Sequence, residues 1–221
     1  MATANSWTSS QTDARQSVDT TLQVVDDLLK YMSTGQGKPS KQERAIFASA
    51  VVFSYGVWES YAEELAIEIA TKVSQAIKPS KVPVTVQKLL ESATPWELNV
   101  HPGWRALWVQ RVKATAKGEG DSYGLNTAKV KQVSALLKTA GLGDVFSKLP
   151  ANIIPQHLSG QVTTVAAAID ELVKLRGEIV HSGSVPAALK KPHARQWRQF
   201  VQELTTEVDQ ACRTQSSTLL A

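Results

Sequence analysis

The chain is short of the features that mark several common protein classes. Cys212 is its one cysteine, so no disulfide forms within the chain, and a lone thiol is typical of a reducing compartment. The longest mostly apolar stretch, residues 45–55, is too short to cross a bilayer. The first ten residues are polar and lack the apolar segment of a secretion signal. We therefore expect a cytoplasmic protein that has no membrane segment.

Patterns that hold metals or phosphates are equally scarce. His101, His157 and His193 are scattered, and no cysteine or acidic cluster accompanies them at ligand spacing. The glycine-rich stretch at 118–124 lacks the Gly-Lys-Ser/Thr ending of a phosphate-binding loop and has no strand before it. We expect a protein that uses neither a metal nor a cofactor.

The composition is that of a folded and mildly basic protein. The chain has 221 residues, of which 43% are hydrophobic, which is enough for one core, and we expect a single domain over residues 1–221. The net charge of +4 and the pI of about 9.1 permit a nucleic-acid partner without requiring one.

Hydrophobic residues recur at the spacing of helices at both ends of the chain. The pattern predicts long helices over residues 13–33, 41–77, 160–180 and 192–213. Ser40 and Glu43 form the capping-box pattern that opens the second of these. No alternating run of useful length indicates a strand.

Residues 79–159 follow a different pattern, because prolines break them into short pieces. We predict one helix over 102–117 and another that Asn126 caps and that runs to Thr139. The whole pattern predicts an all-α protein: an antiparallel four-helix bundle, with a core over about residues 13–213 and an irregular helical insertion at 79–159 between the second and third long helices.

Arg176 and His181 stand at the end of the third long helix. A forked guanidinium that binds phosphate, near an imidazole that moves a proton at neutral pH, is the minimum equipment for cutting RNA without a metal. Arg176 continues an apolar stripe, which predicts that it lies on the core face. His181 is about 140° further round at 100° per residue, so the two meet only if the helix ends loosely or across a two-fold axis.

A structural explanation of the same residues remains open at this point. Arg176 would pair with an acid of the second helix, Glu59, Glu63 or Glu64, and His181 would interact with the C-terminal end of its own helix.

Two short patches resemble a known family. Residues 172–183 read Leu-x-x-Leu-Arg-x-x-Ile-x-His-x-Gly, and residues 58–61 read Trp-Glu-Ser-Tyr. Together with two helices, an insertion and two further helices, they resemble the HEPN superfamily of ribonucleases, in particular its RiboL-PSP-HEPN branch. The family commonly has a polar residue after the arginine, often Asn, and this chain has Gly177 there.

The resemblance implies a metal-independent endoribonuclease that works as a homodimer through the 160–181 helix. RNA would be cut to 2′,3′-cyclic phosphate and 5′-hydroxyl ends, with Arg176 on the phosphate, His181 moving the proton and Glu59 orienting one of them. Many members are toxins or phage-defence effectors, which implies an antitoxin or sensor as partner. The alternative is a non-catalytic helical module that binds a partner protein or a nucleotide.

Basic and aromatic residues add two weaker indications of RNA binding. A cluster at the start of the last helix would contact phosphates, or else is only a solvated helix start: Lys190, Lys191, Arg195 and Arg198. Trp96, Trp104 and Trp108 lie among basic residues and are candidates for base stacking. The four-residue spacing of Trp104 and Trp108 is more typical of core packing.

Overall fold

Helices make up most of the part of the chain that the structure describes. The computed structural model describes residues 7, 9–32, 38–91, 93–119 and 124–221. Helix accounts for 74%, and the described ranges contain no strand, which confirms the all-α prediction. The α-helices are α1 Asp13–Lys30, α2 Lys41–Ala76, α3 Val84–Leu89, α4 Pro95–Val100, α5 Trp104–Lys117, α6 Val130–Thr139, α7 Val165–Ser182 and α8 Lys191–Leu220.

The centre of the fold is α2. It has 36 residues and is therefore about 54 Å long. The capping box predicted at its start is present, since Ser40 and Glu43 each bond the backbone of the other. The other long helices, α1, α7 and α8, all pack against it, as does α5. Buried side chains consequently point in several directions around α2.

Polar contacts fix α1 antiparallel to α8. Asp209 of α8 is buried and accepts hydrogen bonds from the backbone and the hydroxyl of Thr12, which caps α1. At the other end of α1, Asp26 pairs with Arg198 at 2.7 Å. Because a buried charge that loses its partner is costly, these contacts hold the register of the two helices.

The insertion is part of the core. Trp104 and Trp108 of α5 are buried and stack with their ring centroids 6.1 Å apart, which confirms the core prediction for both. The indole N–H of Trp108 donates to the carbonyl of Thr139 at 2.7 Å, joining α5 to α6. The insertion thus adds a further packed layer against α2.

Some predicted helix ends are wrong. Lys129 precedes α6 without a side-chain cap, so Asn126 does not open that helix. Thr164 caps α7, which therefore begins several residues after position 160. The last helix continues to Leu220 because residues 213–220 contain no glycine or proline and because Ser216 is buried.

Two expectations about composition can be compared with the fold. Cys212, the one cysteine, is fully buried in α8, where burial raises the pKa of its thiol and makes it unreactive. Among the described residues, no helix combines the length and apolar character needed to span a bilayer.

Candidate active site

The core face of α7 ends before the motif. Val165, Ile169 and Leu172 are buried, whereas Val180 is 48% exposed and Arg176 is partly exposed. The apolar stripe that predicts a core position for Arg176 therefore runs out to the surface. Arg176 lies at the edge of the core, where its charge keeps contact with water.

The guanidinium of Arg176 lies over an aromatic ring. Its Cζ is 5.2 Å from the centre of the Tyr55 ring, within the range of a cation–π contact. Tyr55 is 1% exposed, and burial raises the pKa of its phenol to about 12, so the hydroxyl keeps its proton. That hydroxyl donates to Oε1 of Glu59 at 2.7 Å. Tyr55 thereby links the arginine to the acid.

The insertion fixes Tyr55 in turn. The backbone N–H of Ala128 donates to the Tyr55 hydroxyl at 3.0 Å, and the carbonyl of Ala128 accepts from the indole N–H of Trp58 at 2.8 Å. Ala128 is fully buried. Both backbone polar groups of this one residue are therefore bonded to side chains of α2.

The Trp-Glu-Ser-Tyr patch divides into structural residues and one site residue. Trp58 is buried on Ala128, and the hydroxyl of buried Tyr61 donates to the Thr205 carbonyl of α8 at 3.0 Å. Glu59 between them is half-buried and faces the arginine site. The two aromatic residues hold α2 in place, Ser60 is exposed, and Glu59 is the member of the patch that lies near the arginine.

Glu59 is the acid that lies near the arginine. Burial raises the pKa of its carboxyl, while the hydrogen bond from Tyr55 and the charge of Arg176 act in the opposite direction. Glu63 and Glu64, the other acids that the sequence offers, are paired with Lys117 at 2.8 and 2.7 Å. The structure therefore places Arg176 close enough for its charge to act on the Glu59 carboxylate, and Tyr55 contacts both residues.

His181 lies elsewhere on α7. It is exposed, and a β-carbon placed on Gly177 would lie 3.9 Å from its Cδ2, so the imidazole lies over the glycine. The helix continues through Ser182 and ends at Gly183, whose φ of +62° is left-handed. Because the helix does not end loosely before His181, Arg176 and His181 stay on different faces of one chain.

The predicted RNA-binding cluster is divided by the fold. Lys190 precedes α8 and is exposed, and Lys191 is its first residue. Arg195 and Arg198 line a groove of about 960 Å³ between α8 and α1. Arg198 is only 18% exposed in its ion pair with Asp26, so it joins α8 to α1, and its contact with RNA stays a prediction.

Trp96 is the exposed member of the tryptophan group. Its side chain is 71% exposed on α4, and Val100, one turn later, is 47% exposed. Since Trp104 and Trp108 are buried, only Trp96 of the three has a ring face that an outside base can reach.

We expect Glu59→Gln to fold at least as stably as the wild type at pH 7. Because the pKa of Glu59 is higher in the folded protein than its ordinary value of 4.5, its ionisation costs stability as the pH rises through this range. Glutamine keeps an oxygen that accepts from Tyr55 and removes this cost. Urea unfolding at pH 7 measures the effect.

Glu63→Gln is the control for that variant, since it lies on the same helix but loses the ion pair with Lys117. It should lose up to about 1 kcal/mol. If Glu59→Gln instead lost more than about 1 kcal/mol at pH 7, Glu59 would be a stabilising charge and our account of its burial would be wrong.

Comparison with known proteins agrees with the motif and the fold. The RiboL-PSP-HEPN family model matches residues 20–214. This range includes both short patches, all of α2 and α7, and all of α1 and α8 except the first residues of α1 and the last residues of α8. The same comparison made with curated proteins and with solved structures gives no match. With most of its length matched and an all-helical architecture, the chain belongs to the RiboL-PSP-HEPN family.

Proposed function

We propose that this protein is a metal-independent endoribonuclease. The observation that carries the proposal is a guanidinium held over Tyr55 at 5.2 Å, on the same helix end as an exposed imidazole, in a chain of the HEPN family. The 2′-hydroxyl of the RNA attacks the adjacent phosphorus and the bond to the 5′ oxygen breaks. The products are a 2′,3′-cyclic phosphate and a 5′-hydroxyl.

The two motif residues have distinct roles in this reaction. His181 accepts the proton of the 2′-hydroxyl or gives one to the leaving 5′ oxygen, and its exposure leaves it open to the RNA. Arg176 binds the scissile phosphate and stabilises the charge that builds up in the transition state. Tyr55 and Glu59 are positioning residues, because the Tyr55 ring contacts the guanidinium and Glu59 holds the Tyr55 hydroxyl.

A homodimer would complete the site. Arg176 and His181 lie on different faces of α7, so one chain does not bring them onto one phosphate. A two-fold axis that brings two copies of α7 face to face would place the Arg176 of one protomer near the His181 of its partner. The exposed Val180 between them supplies apolar surface for such a contact. A single species of 24.0 kDa in sedimentation at micromolar concentration would contradict this arrangement.

The basic residues extend the RNA path. Lys190 and Lys191 follow the motif closely and are assigned to the flanking phosphates. Arg195 lies one turn further along α8 and is assigned to the next part of the strand. A role as a toxin or phage-defence effector, held in check by an antitoxin or triggered by a sensor, rests on the family alone.

We expect cleavage to persist in excess EDTA, because the nucleophile belongs to the RNA and two side chains supply proton transfer and charge. In the part of the chain that the structure describes, no three His, Cys, Asp or Glu residues are grouped to hold a metal ion. Sequencing of RNA for new 5′-hydroxyl ends, with and without chelator, measures the reaction. Cleavage that chelation abolishes and magnesium or manganese restores would rule out the mechanism.

One observation favours a second candidate function. Gly177 leaves open the place beside His181 where the family commonly carries a polar side chain. A chain that has the motif without this polar side chain would act as a helical module that binds a partner protein or a nucleotide.

A further inference from the structure

A cleft lies beside the motif helix. It has a volume of about 300 Å³, at the lower end of the range for small-molecule sites, and opens between α7 and the start of α8. Apolar side chains form part of its wall, and among the polar residues that line it are Glu178, His157 and His193. A flat heterocycle with polar edges suits such a wall.

The cleft begins close to His181. Lys174 and Glu178 of α7 line it, and Glu178 precedes His181 by three residues, so the two are neighbours on the helix surface. Glu178 is about 200° round the helix from Arg176, whereas His181 is about 140° round. A ligand in the cleft therefore lies on the His181 side of α7.

Two stacked imidazoles form the polar side of the cleft. The rings of His157 and His193 are parallel within 8°, with centroids 4.3 Å apart. Nδ1 of His157 lies 2.6 Å from Oε1 of Gln196, and since that oxygen only accepts, Nδ1 carries the hydrogen. His193 hydrogen-bonds to the backbone of Ala188. Each neutral ring therefore uses one nitrogen within the protein and has its other nitrogen as an acceptor.

The state of the imidazoles follows from their surroundings. Burial lowers the pKa of both rings, and the neighbouring His157 and Lys190 lower that of His193 further. Behind the stack, Trp197 meets His157 edge-on at 5.1 Å. Trp197 also lines the cleft, is 2% exposed, and has an indole N–H that is buried without a hydrogen-bond partner.

We propose that this cleft holds the nucleobase next to the scissile phosphate and prefers a base with an exocyclic amino group over uracil. The proposal rests on the proposed ribonuclease function. Most of the polar groups that the cleft offers are acceptors, namely the remaining ring nitrogens and the carboxylates of Glu171 and Glu178, while Lys174 and the unpartnered indole N–H of Trp197 are donors. Its lysine, Lys174, lies 3.9 Å from the Glu171 carboxylate. Adenine, cytosine and guanine each present an exocyclic amino group with two N–H donors to these acceptors, whereas uracil has a single N–H donor between two carbonyl oxygens.

Nucleotide binding to an inactive protein tests the cleft apart from cleavage. Full-length His181→Ala is titrated with AMP, CMP, GMP and UMP, and the dissociation constants are compared. We expect the three amino-bearing nucleotides to bind at least about tenfold tighter than UMP, because UMP would leave acceptors of the cleft without a donor. Adding His193→Ala should weaken the binding of the three amino-bearing nucleotides to about the affinity of UMP.

A second variant tests the cleft with a substitution at an exposed residue, which should leave folding unchanged. Glu178 is exposed, so Glu178→Gln should fold normally. The amide of the introduced glutamine donates as well as accepts, so the difference in affinity between UMP and the other nucleotides should become smaller. His101→Ala is the control, since His101 is an exposed histidine at the end of α4, outside the cleft.

The outcomes separate the two proposals. Equal binding of UMP, no binding of any nucleotide, or an unchanged preference in both cleft variants would overturn the base site. Each of these results is independent of catalysis. If His181→Ala still cleaved RNA while the preference was present, the motif mechanism would fail and the nucleotide site would stand.

Discussion

His181→Ala is expected to lose RNA cleavage by about 10²- to 10⁴-fold, the usual contribution of a proton-transferring side chain. The variant should fold and associate like the wild type. His181 is exposed in the last turn of α7, so its removal costs at most about 1 kcal/mol of stability through the helix dipole. Turnover of RNA, thermal unfolding and sedimentation are measured together.

Arg176→Ala should abolish cleavage to a similar degree, because both groups act on one transition state. It should also destabilise the protein, since it uncovers Tyr55 and leaves Glu59 without a neighbouring cation. Arg105→Ala is a matched control: Arg105 lies over Trp104 at 4.5 Å in an equivalent cation–aromatic contact within the insertion. Any toxicity to cells should disappear with His181→Ala and Arg176→Ala and persist with Arg105→Ala.

His181→Ala decides between the two candidate functions. If this variant were folded, dimeric and as active or as toxic as the wild type, the nuclease mechanism through the motif would be wrong. The binding-module function would then replace it. His101→Ala provides the matched histidine control in that experiment.

Mixing two inactive variants should restore cleavage if the site is shared between protomers. In a dimer of Arg176→Ala with His181→Ala, one of the two composite sites retains both an arginine and a histidine. Because random mixing makes half of the dimers mixed, we expect about a quarter of the wild-type rate under two-fold symmetry. The rate is measured after the two proteins are unfolded and refolded together.

The mixture has a clear opposite outcome. If each site were formed within one chain, every protomer would lack one of its residues and the mixture would stay inactive. Each variant refolded alone is the control and should also remain inactive. Activity of either variant alone would show contamination or a role for other residues.

The parts of the fold that local patterns determine were predictable from the sequence. The capping box at Ser40 and Glu43 depends on residues three apart, and the spacing of Trp104 and Trp108 depends on one helical turn. Both features are found in the structure. The sequence after Arg213 permits a longer α8, since it has no glycine or proline, but the packing that extends the helix to Leu220 is tertiary, as the burial of Ser216 shows.

The surroundings of the candidate site required the fold. Tyr55 precedes Glu59 by four residues, a spacing that indicates contact on α2, but nothing in the sequence connects either residue to Arg176. Arg198 sits in a basic run that is typical of phosphate binding, yet its partner, Asp26, lies on a distant part of the chain. The stack of His157 on His193 likewise joins the insertion to α8 and follows no local period.

The position of Ala128 couples the conformation of the insertion to the position of Arg176. Its N–H bonds the hydroxyl of Tyr55, and the ring of Tyr55 carries Arg176. A ligand of the insertion that binds more tightly when Ala128 is displaced would therefore shift the population of arginine positions. Such coupling is reciprocal: RNA held by Arg176 would weaken that ligand by the same factor. The segment between the two pairs of long helices is thus a place where an effector and a substrate would compete through the conformation of one tyrosine.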